Sequence, residues 1–127
     1  MSKYNLPQEI EVWYVIPAIR RELASLLTQE HGLSYEKAGE FLGITKAAIS
    51  QYNKNKRASK INLKPIILRE IEKAAKRMIK DKEVTTKEIL RILRIMRERR
   101  IPFEVCKEGF GDKDCEEVAL AYEKYWE

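Results

Sequence analysis

Two glycines, Gly39 and Gly43, lie four residues apart in the stretch YEKAGEFLGITKAAISQY, residues 35–52, which otherwise has the pattern of a helix. Glycine in a helix interior costs about 0.5–1 kcal/mol relative to alanine, so this pair needs a structural reason. Ser34 and Thr45 can each cap the N-terminus of a helix. The stretch therefore predicts two short helices joined by a tight turn.

The two glycines have different predicted roles. Where the first of two short helices crosses the second at a steep angle, a position in its middle must be small, and Gly39 occupies that position. The residue that begins the turn adopts a left-handed conformation, which costs about 1–2 kcal/mol with a Cβ and almost nothing for glycine, as at Gly43. Apolar residues agree with this layout. Those predicted to face inward are Ala38, Leu42, Ile44, Ile49 and Tyr52.

Positive charge is concentrated beside this helix pair. The chain has a formal net charge of +5. Residues 41–69 carry seven basic and no acidic side chains, whereas residues 1–40 carry four and six, and residues 70–127 carry fourteen of each. A local excess of this kind indicates a polyanionic partner.

Side chains on the outer face of the second helix suit the base edges of the DNA major groove. Gln pairs with adenine, Lys with guanine, Ser and Thr with either, and Ala contacts the thymine methyl group. The residues predicted to contact bases are Thr45, Lys46, Ala47, Ser50 and Gln51. Basic residues just beyond them suit phosphates, namely Lys54, Lys56, Arg57, Lys60 and Lys64.

Residues 32–57, GLSYEKAGEFLGITKAAISQYNKNKR, resemble the helix-turn-helix of the phage-repressor and Cro-type family, including Gly39, Gly43 and the buried aliphatic residue Ile49. Together with the preceding EIEVWYVIPAIRRELASLL, this part of the chain is similar to a group of archaeal proteins predicted to regulate transcription. The resemblance implies a lambda-repressor-like bundle whose second motif helix, residues 46–53, enters the major groove.

The start of the first motif helix departs from the family pattern. Many family members have Gln where this chain has Tyr35. A phosphate contact there would come from the Tyr35 hydroxyl or from backbone N–H groups beside Ser34. Both residues are therefore included in the predicted DNA interface.

Helical periodicity predicts an all-α chain. The resemblance implies that residues 1–60 are a DNA-binding domain, and apolar faces over 61–127 indicate a helical region for dimerisation or sensing. Pro17 is expected to interrupt the first helix, and Thr85-x-x-Glu88 to form a capping box. Wide apolar faces on the helices predicted over 63–80 and 86–100 favour a homodimer, because a second chain would cover the apolar surface. A last helix is predicted over 115–126, and the tail over 101–127 has three basic and eight acidic residues.

Several other classes are disfavoured. The longest apolar run, residues 12–19, is too short for a membrane span, and the N-terminus lacks the layout of a signal peptide, which together predict a cytoplasmic protein. The single histidine, His31, is expected at a solvated helix end. Without a metal cluster, a phosphate-binding glycine loop or a recognisable nucleophile, neither an enzyme nor a cofactor is expected. Cys106 and Cys115 are two reduced thiols, a disulfide, or part of a site shared between subunits.

Three function classes remain open. The first is a homodimeric regulator of transcription that binds specific double-stranded DNA. The second is an architectural or RNA-binding protein that uses the same fold without sequence preference. The third is an antitoxin-like module in which residues 61–127 hold another protein. Substitution of Ser50 and Gln51 separates the first two, and co-purification of a partner indicates the third.

Overall fold

The computed structural model describes residues 7–54 and 63–99, and these residues form helices and connecting turns without a strand. The all-α class is thereby confirmed for this part of the chain, in which no helix is long and apolar enough to cross a lipid bilayer. In chain order the elements are α1 (Pro7–Ile10), a π-helical turn (Glu11–Val15), α2 (Ile16–Ser25), a second π-helical turn (Leu26–Glu30), α3 (Tyr35–Leu42), α4 (Lys46–Asn53), α5 (Pro65–Lys80), a 3₁₀ turn (Lys82–Val84) and α6 (Thr85–Glu98).

The prediction that Pro17 interrupts the first helix is wrong. The chain stays helical from Pro7 to Glu30, which we call the N-terminal helix, and Val15, two residues before the proline, has helical φ and ψ of −75° and −51°. The reason is the π-helical turn Glu11–Val15. In a π-helix each carbonyl accepts from the N–H five residues on, and the wider turn accommodates both the ring and the missing N–H of a following proline.

The N-terminal helix ends where the sequence predicts. Gly32 has a φ of 71°, a left-handed conformation that glycine adopts without strain. The Leu33 N–H donates to the Leu27 carbonyl at 2.9 Å across this turn. His31 is half-buried there, so it is less solvated than the sequence suggested.

The predicted capping box at the start of α6 is also wrong. Thr85 is already helical, with φ and ψ of −53°, and its hydroxyl donates to the Lys82 carbonyl at 2.9 Å. The 3₁₀ turn leads directly into the helix, and its own cap is Asp81, whose carboxylate accepts a backbone N–H at 3.0 Å. Glu88 consequently lies inside the helix, where arginine side chains bind it.

One hydrophobic cluster includes side chains from α2 to α6 and lies on both sides of the predicted domain boundary at residue 60. Helices α5 and α6 pack together, and α5 also packs on α2. The side chains of α5 and α6 that are fully buried include Ile67, Ile71, Met78, Ile92 and Met96. The apolar faces of these helices are therefore covered within one chain, which overturns the reason for expecting a second copy to cover them. The homodimer itself stays a prediction.

Glu88 is the centre of an ion-pair cluster between α5 and α6. Its Oε1 accepts from Arg77 Nη1 and Arg91 Nε, both at 3.0 Å, and Arg91 also binds the carboxylate of Glu70. Burial alone would raise the pKa of Glu88, but the two arginine hydrogen bonds outweigh it and hold the pKa below its ordinary value of 4.5. The hydrogen bond from Arg91 likewise lowers the pKa of Glu70.

The stability that Glu88 supplies is expected to be lost in acid. A carboxylate whose pKa is lower in the folded chain than in the unfolded chain stabilises the fold above the unfolded pKa, and this contribution disappears as pH falls through the folded pKa. Urea unfolding at several pH values should therefore show that wild type exceeds Glu88→Gln in stability near neutral pH, and that the gap closes below the ordinary carboxyl pKa. Glu98→Gln, at an exposed site in the same helix, is the matched control. A gap that stays constant with pH would contradict the prediction.

Candidate nucleic-acid interface

Helices α3 and α4 form the candidate site, and both begin at the caps that the sequence predicts. The Ser34 hydroxyl accepts from the Lys37 N–H at 3.0 Å, and the Thr45 hydroxyl accepts from the Ala48 N–H at 3.0 Å. Both cap residues have extended backbones, with φ and ψ of −66° and 161° at Ser34 and of −79° and 158° at Thr45. Each hydroxyl satisfies a backbone donor that the first helical turn leaves without a partner.

The turn between these helices shows why both glycines are present. Gly43 has φ and ψ of 69° and 31°, the left-handed conformation expected at that position. Gly39 lies against the turn itself, since a Cβ added there would be 2.6 Å from the carbonyl oxygen of Ile44. The Ile44 N–H in turn donates to the Gly39 carbonyl at 2.9 Å. The structure thus places Gly43 in a left-handed conformation and Gly39 against the turn carbonyl of Ile44.

The inner sides of α3 and α4 belong to the hydrophobic cluster. Ile49 is fully buried, and Tyr52 is 5% exposed. Ala38 and Leu42 of α3 are buried too, whereas Ile44 in the turn is half-buried. Because α4 packs on both α2 and α3, its outer face is held in a fixed orientation.

The outer face of α4 carries the residues predicted to contact bases. Thr45, Lys46, Ala47, Gln51 and Lys54 are exposed, while Ser50 is half-buried. The charges on this helix and its C-cap residue are those of two lysines, with no acidic side chain. At the start of α3, Ser34 and Tyr35 are exposed as well. The outer face of α4 and the start of α3 therefore present hydrogen-bond donors, a methyl group and positive charge.

A polar link that the sequence did not reveal joins the end of α4 to the N-terminal helix. Asn53 Nδ2 donates to Thr28 Oγ1 at 3.2 Å, and the Thr28 hydroxyl donates to the Ala24 carbonyl at 2.8 Å. The Thr28 hydroxyl has one hydrogen, which it donates to the Ala24 carbonyl, so its oxygen can only accept a hydrogen bond from Asn53. The Asn53 amide therefore presents Nδ2 to Thr28, and Asn53 Oδ1 is left buried without a partner. The two polar side chains are 25 residues apart, so no spacing in the sequence marks them as a pair.

A cleft of about 320 Å³ lies between the end of α3 and the turn that precedes α6. Its charged lining consists of two cations, Arg20 and Lys82, and two anions, Glu40 and Glu83. Because these charges balance, the cleft does not have the character of an anion site. The polyanion-compatible surface is that of α4.

Five residues of the predicted sites lie outside the described residues, and their roles stay predictions, namely Lys56, Arg57, Lys60, Cys106 and Cys115. Comparisons with protein-family models, curated proteins and solved structures find no match to this chain. Inference about function therefore depends on the geometry and chemistry of the helix pair.

Proposed function

We propose that the protein regulates transcription as a homodimer that binds specific double-stranded DNA, with α3 and α4 as a helix-turn-helix and α4 in the major groove. The main support is the exposed face of α4, on which Lys46, Ala47 and Gln51 stand together without an acidic neighbour in the helix. These are side chains that hydrogen-bond purine edges or contact a thymine methyl group.

The rigidity of this helix pair supports the same function. Recognition of bases requires side chains held on a fixed backbone. Here, the Thr45 cap fixes the start of α4, Ile49 and Tyr52 anchor its inner side, and the Asn53–Thr28 hydrogen bond holds its end. An α-helix with its side chains is about 10–12 Å in diameter, which fits the major groove of about 12 Å width.

Phosphate contacts are assigned to the flanks of α4. Lys54 is exposed at its C-terminal end, where the acid-free segment continues along the chain towards exposed Lys64. Tyr35 is 39% exposed at the start of α3, so its hydroxyl is available to a phosphate oxygen. Contacts of this type orient a protein on DNA and supply affinity without sequence preference.

The homodimer is proposed for a reason of affinity, because one α4 offers few base contacts. Two helix-turn-helix motifs spaced one turn of the DNA double helix apart, about 34–36 Å, would bind a palindromic site. Since α5 and α6 bury their apolar faces internally, the interface must use other surfaces. Val12, Trp13 and Leu90 are 57%, 49% and 58% exposed, and they are apolar side chains that a second copy would cover.

The decisive experiment is selection of bound fragments from random double-stranded DNA, followed by affinity measurements on the selected site and its single-base variants. Gln51→Ala should reduce discrimination at one base pair by about 1–3 kcal/mol. Lys54→Gln should weaken binding to all sequences alike, because a phosphate contact carries no sequence information. Gln29→Ala, an exposed substitution of the same type on the N-terminal helix, is the matched control and should change neither property.

Each alternative has a distinct outcome in this experiment. Equal losses on all sequences for Gln51→Ala and Lys54→Gln would favour an architectural or RNA-binding protein. Absence of DNA binding, together with a co-purified protein partner, would favour the antitoxin-like module. A selected site without two-fold symmetry, bound by one chain, would contradict the dimer.

A further inference from the structure

The outer face of α5 carries a row of cations. Arg69, Lys73, Lys76 and Lys80 follow one another at intervals of three or four residues, and all four are exposed. Residues at this spacing lie on one side of a helix. With a rise of 1.5 Å per residue, the row is about 16 Å long. We call these four residues the α5 row.

Most of this charge is not neutralised by the other residues that the structure describes. Within the part of the chain that the structure describes, Arg69, Lys76 and Lys80 form no ion pair. Lys73 lies 3.4 Å from Glu70, across an exposed contact that contributes little. Glu72 is the one fully exposed acidic residue of α5. The row therefore keeps a net positive charge at its surface.

Two acidic residues, Glu70 and Glu88, are engaged between α5 and α6. The Glu70 carboxylate binds Arg91, and the Glu88 carboxylate binds both Arg91 and Arg77. These arginines occupy the carboxylates of Glu70 and Glu88, and among the described residues only Lys73 of the outward cations shares one of them, through its exposed contact with Glu70. The charges between α5 and α6 thus neutralise one another, whereas the outer face of α5 stays positive.

The α5 row also extends the basic part of the sequence. Arg69 is the last residue of the acid-free segment 41–69, which includes α4. Residues 41–80 together carry eleven basic and two acidic side chains, a net charge of +9, whereas the whole chain has +5. The basic part of the sequence therefore begins at α4 and continues to the end of the α5 row.

We propose that the α5 row binds backbone phosphates of the DNA duplex, outside the base pairs that α4 contacts. This inference rests on the proposed function, and it assigns α5 a part in affinity. Phosphates of one strand recur about every 3.4 Å along the duplex axis, so a row of this length spans roughly five of them. Lysine and arginine side chains are long enough to adjust to this spacing, and phosphate contacts need no base register.

A membrane surface does not fit the α5 row. A helix that lies on a bilayer inserts an apolar face into it. The face of α5 opposite the row is already in the protein core, where Ile67, Ile71 and Met78 are fully buried. A polyanion that makes only electrostatic contacts is therefore the better partner. The acidic residues 101–127, with a net charge of −5, are the competing occupant that the experiment must distinguish.

The test compares two full-length variants with equal loss of charge. The first is Arg69→Gln/Lys73→Gln/Lys76→Gln/Lys80→Gln. The matched control is Lys82→Gln/Lys87→Gln/Arg94→Gln/Arg99→Gln, at four exposed positions on the 3₁₀ turn, on α6 and directly after it. Both change the formal net charge from +5 to +1, because each removes four cations. Circular dichroism and thermal melting verify that both variants stay folded.

Affinity for the selected DNA site is then measured over a range of salt concentrations. Because each phosphate contact contributes about 0.9 to the slope of log K against log salt, loss of two to four contacts should make the slope shallower by about 1.8 to 3.6 per chain. The control should keep the wild-type slope, and both variants should keep wild-type base preference. A wild-type slope in the first variant would overturn the inference and favour residues 101–127 as the partner of this row. Equal changes in both variants would overturn it too, since general charge would explain them.

Failure of this inference is distinct from failure of the proposed function. If wild type binds a preferred sequence and Gln51→Ala alters the preference, the proposed function stands whatever the α5 row does. If wild type has no affinity for DNA, both fail together.

Discussion

Arg97→Met is expected to lower the free energy of unfolding by about 3–5 kcal/mol, because it leaves a buried carboxylate without its partner. Glu11 is 3% exposed and accepts two hydrogen bonds from Arg97, at 2.8 Å from Nε and 3.0 Å from Nη2. Methionine keeps most of the aliphatic stem, so the loss is mainly that of the guanidinium. Urea denaturation followed by circular dichroism measures the change.

Two further variants separate the ion pair from its surroundings. Arg94→Met removes an arginine from the same helix whose side chain is 82% exposed, and it should change stability by no more than about 0.5 kcal/mol. In Glu11→Leu/Arg97→Met both charges are absent, and much of the stability should return, because an apolar pair avoids the cost of desolvating ions. Comparable effects of Arg97→Met and Arg94→Met would contradict the prediction.

This pair shows why parts of the fold could not be predicted from the sequence. Glu11 and Arg97 are 86 residues apart, and their contact exists only because α6 lies beside the first π-helical turn. The same turn explains the error at Pro17, since a proline ends an ordinary α-helix but not one that widens just before it. The ion pair has no local signal, because it depends on how distant segments pack, and the residues around Pro17 do not mark the π-helical turn.

The α3–α4 pair was predictable for the opposite reason. Its determinants act over three to five residues, as in the cap from Ser34 to Lys37 and the approach of Gly39 to the Ile44 carbonyl. Local patterns are still ambiguous where two structures share them. Thr85 and Glu88 have the spacing of a capping box, but a preceding 3₁₀ turn and nearby arginines place both inside the helix.

Base preference was also a local deduction, since it depends on which α4 side chains face outward. Exposure agrees with that deduction at Lys46, Ala47 and Gln51, and only in part at Ser50. A half-buried serine hydroxyl has a narrower range of approach to a base edge. As a predicted base contact, Gln51 therefore has stronger structural support than Ser50.

The second large effect is expected at Gly39. Gly39→Val should destabilise the fold by about 2–3 kcal/mol, because a new side chain forces a close-packed contact apart. A Cβ here would lie 2.6 Å from a backbone oxygen, that of Ile44, and a backbone atom inside a capped turn has little freedom to move. The displacement would separate α3 from α4, so the DNA affinity that we propose should fall together with stability.

Gly43 provides the matched control, because there the constraint is conformational and not steric. Nothing lies within 4 Å of a Cβ at Gly43, but its φ of 69° is unfavourable for most side chains. Gly43→Ala should therefore cost about 1–2 kcal/mol, and Gly43→Asn less, since asparagine adopts left-handed conformations more readily. At position 39 asparagine should bring no relief, because its Cβ meets the same oxygen as that of valine. Chemical denaturation of these four variants tests the contrast between the two positions. If asparagine is tolerated equally at both, the turn does not hold the two helices as closely as the 2.6 Å approach implies.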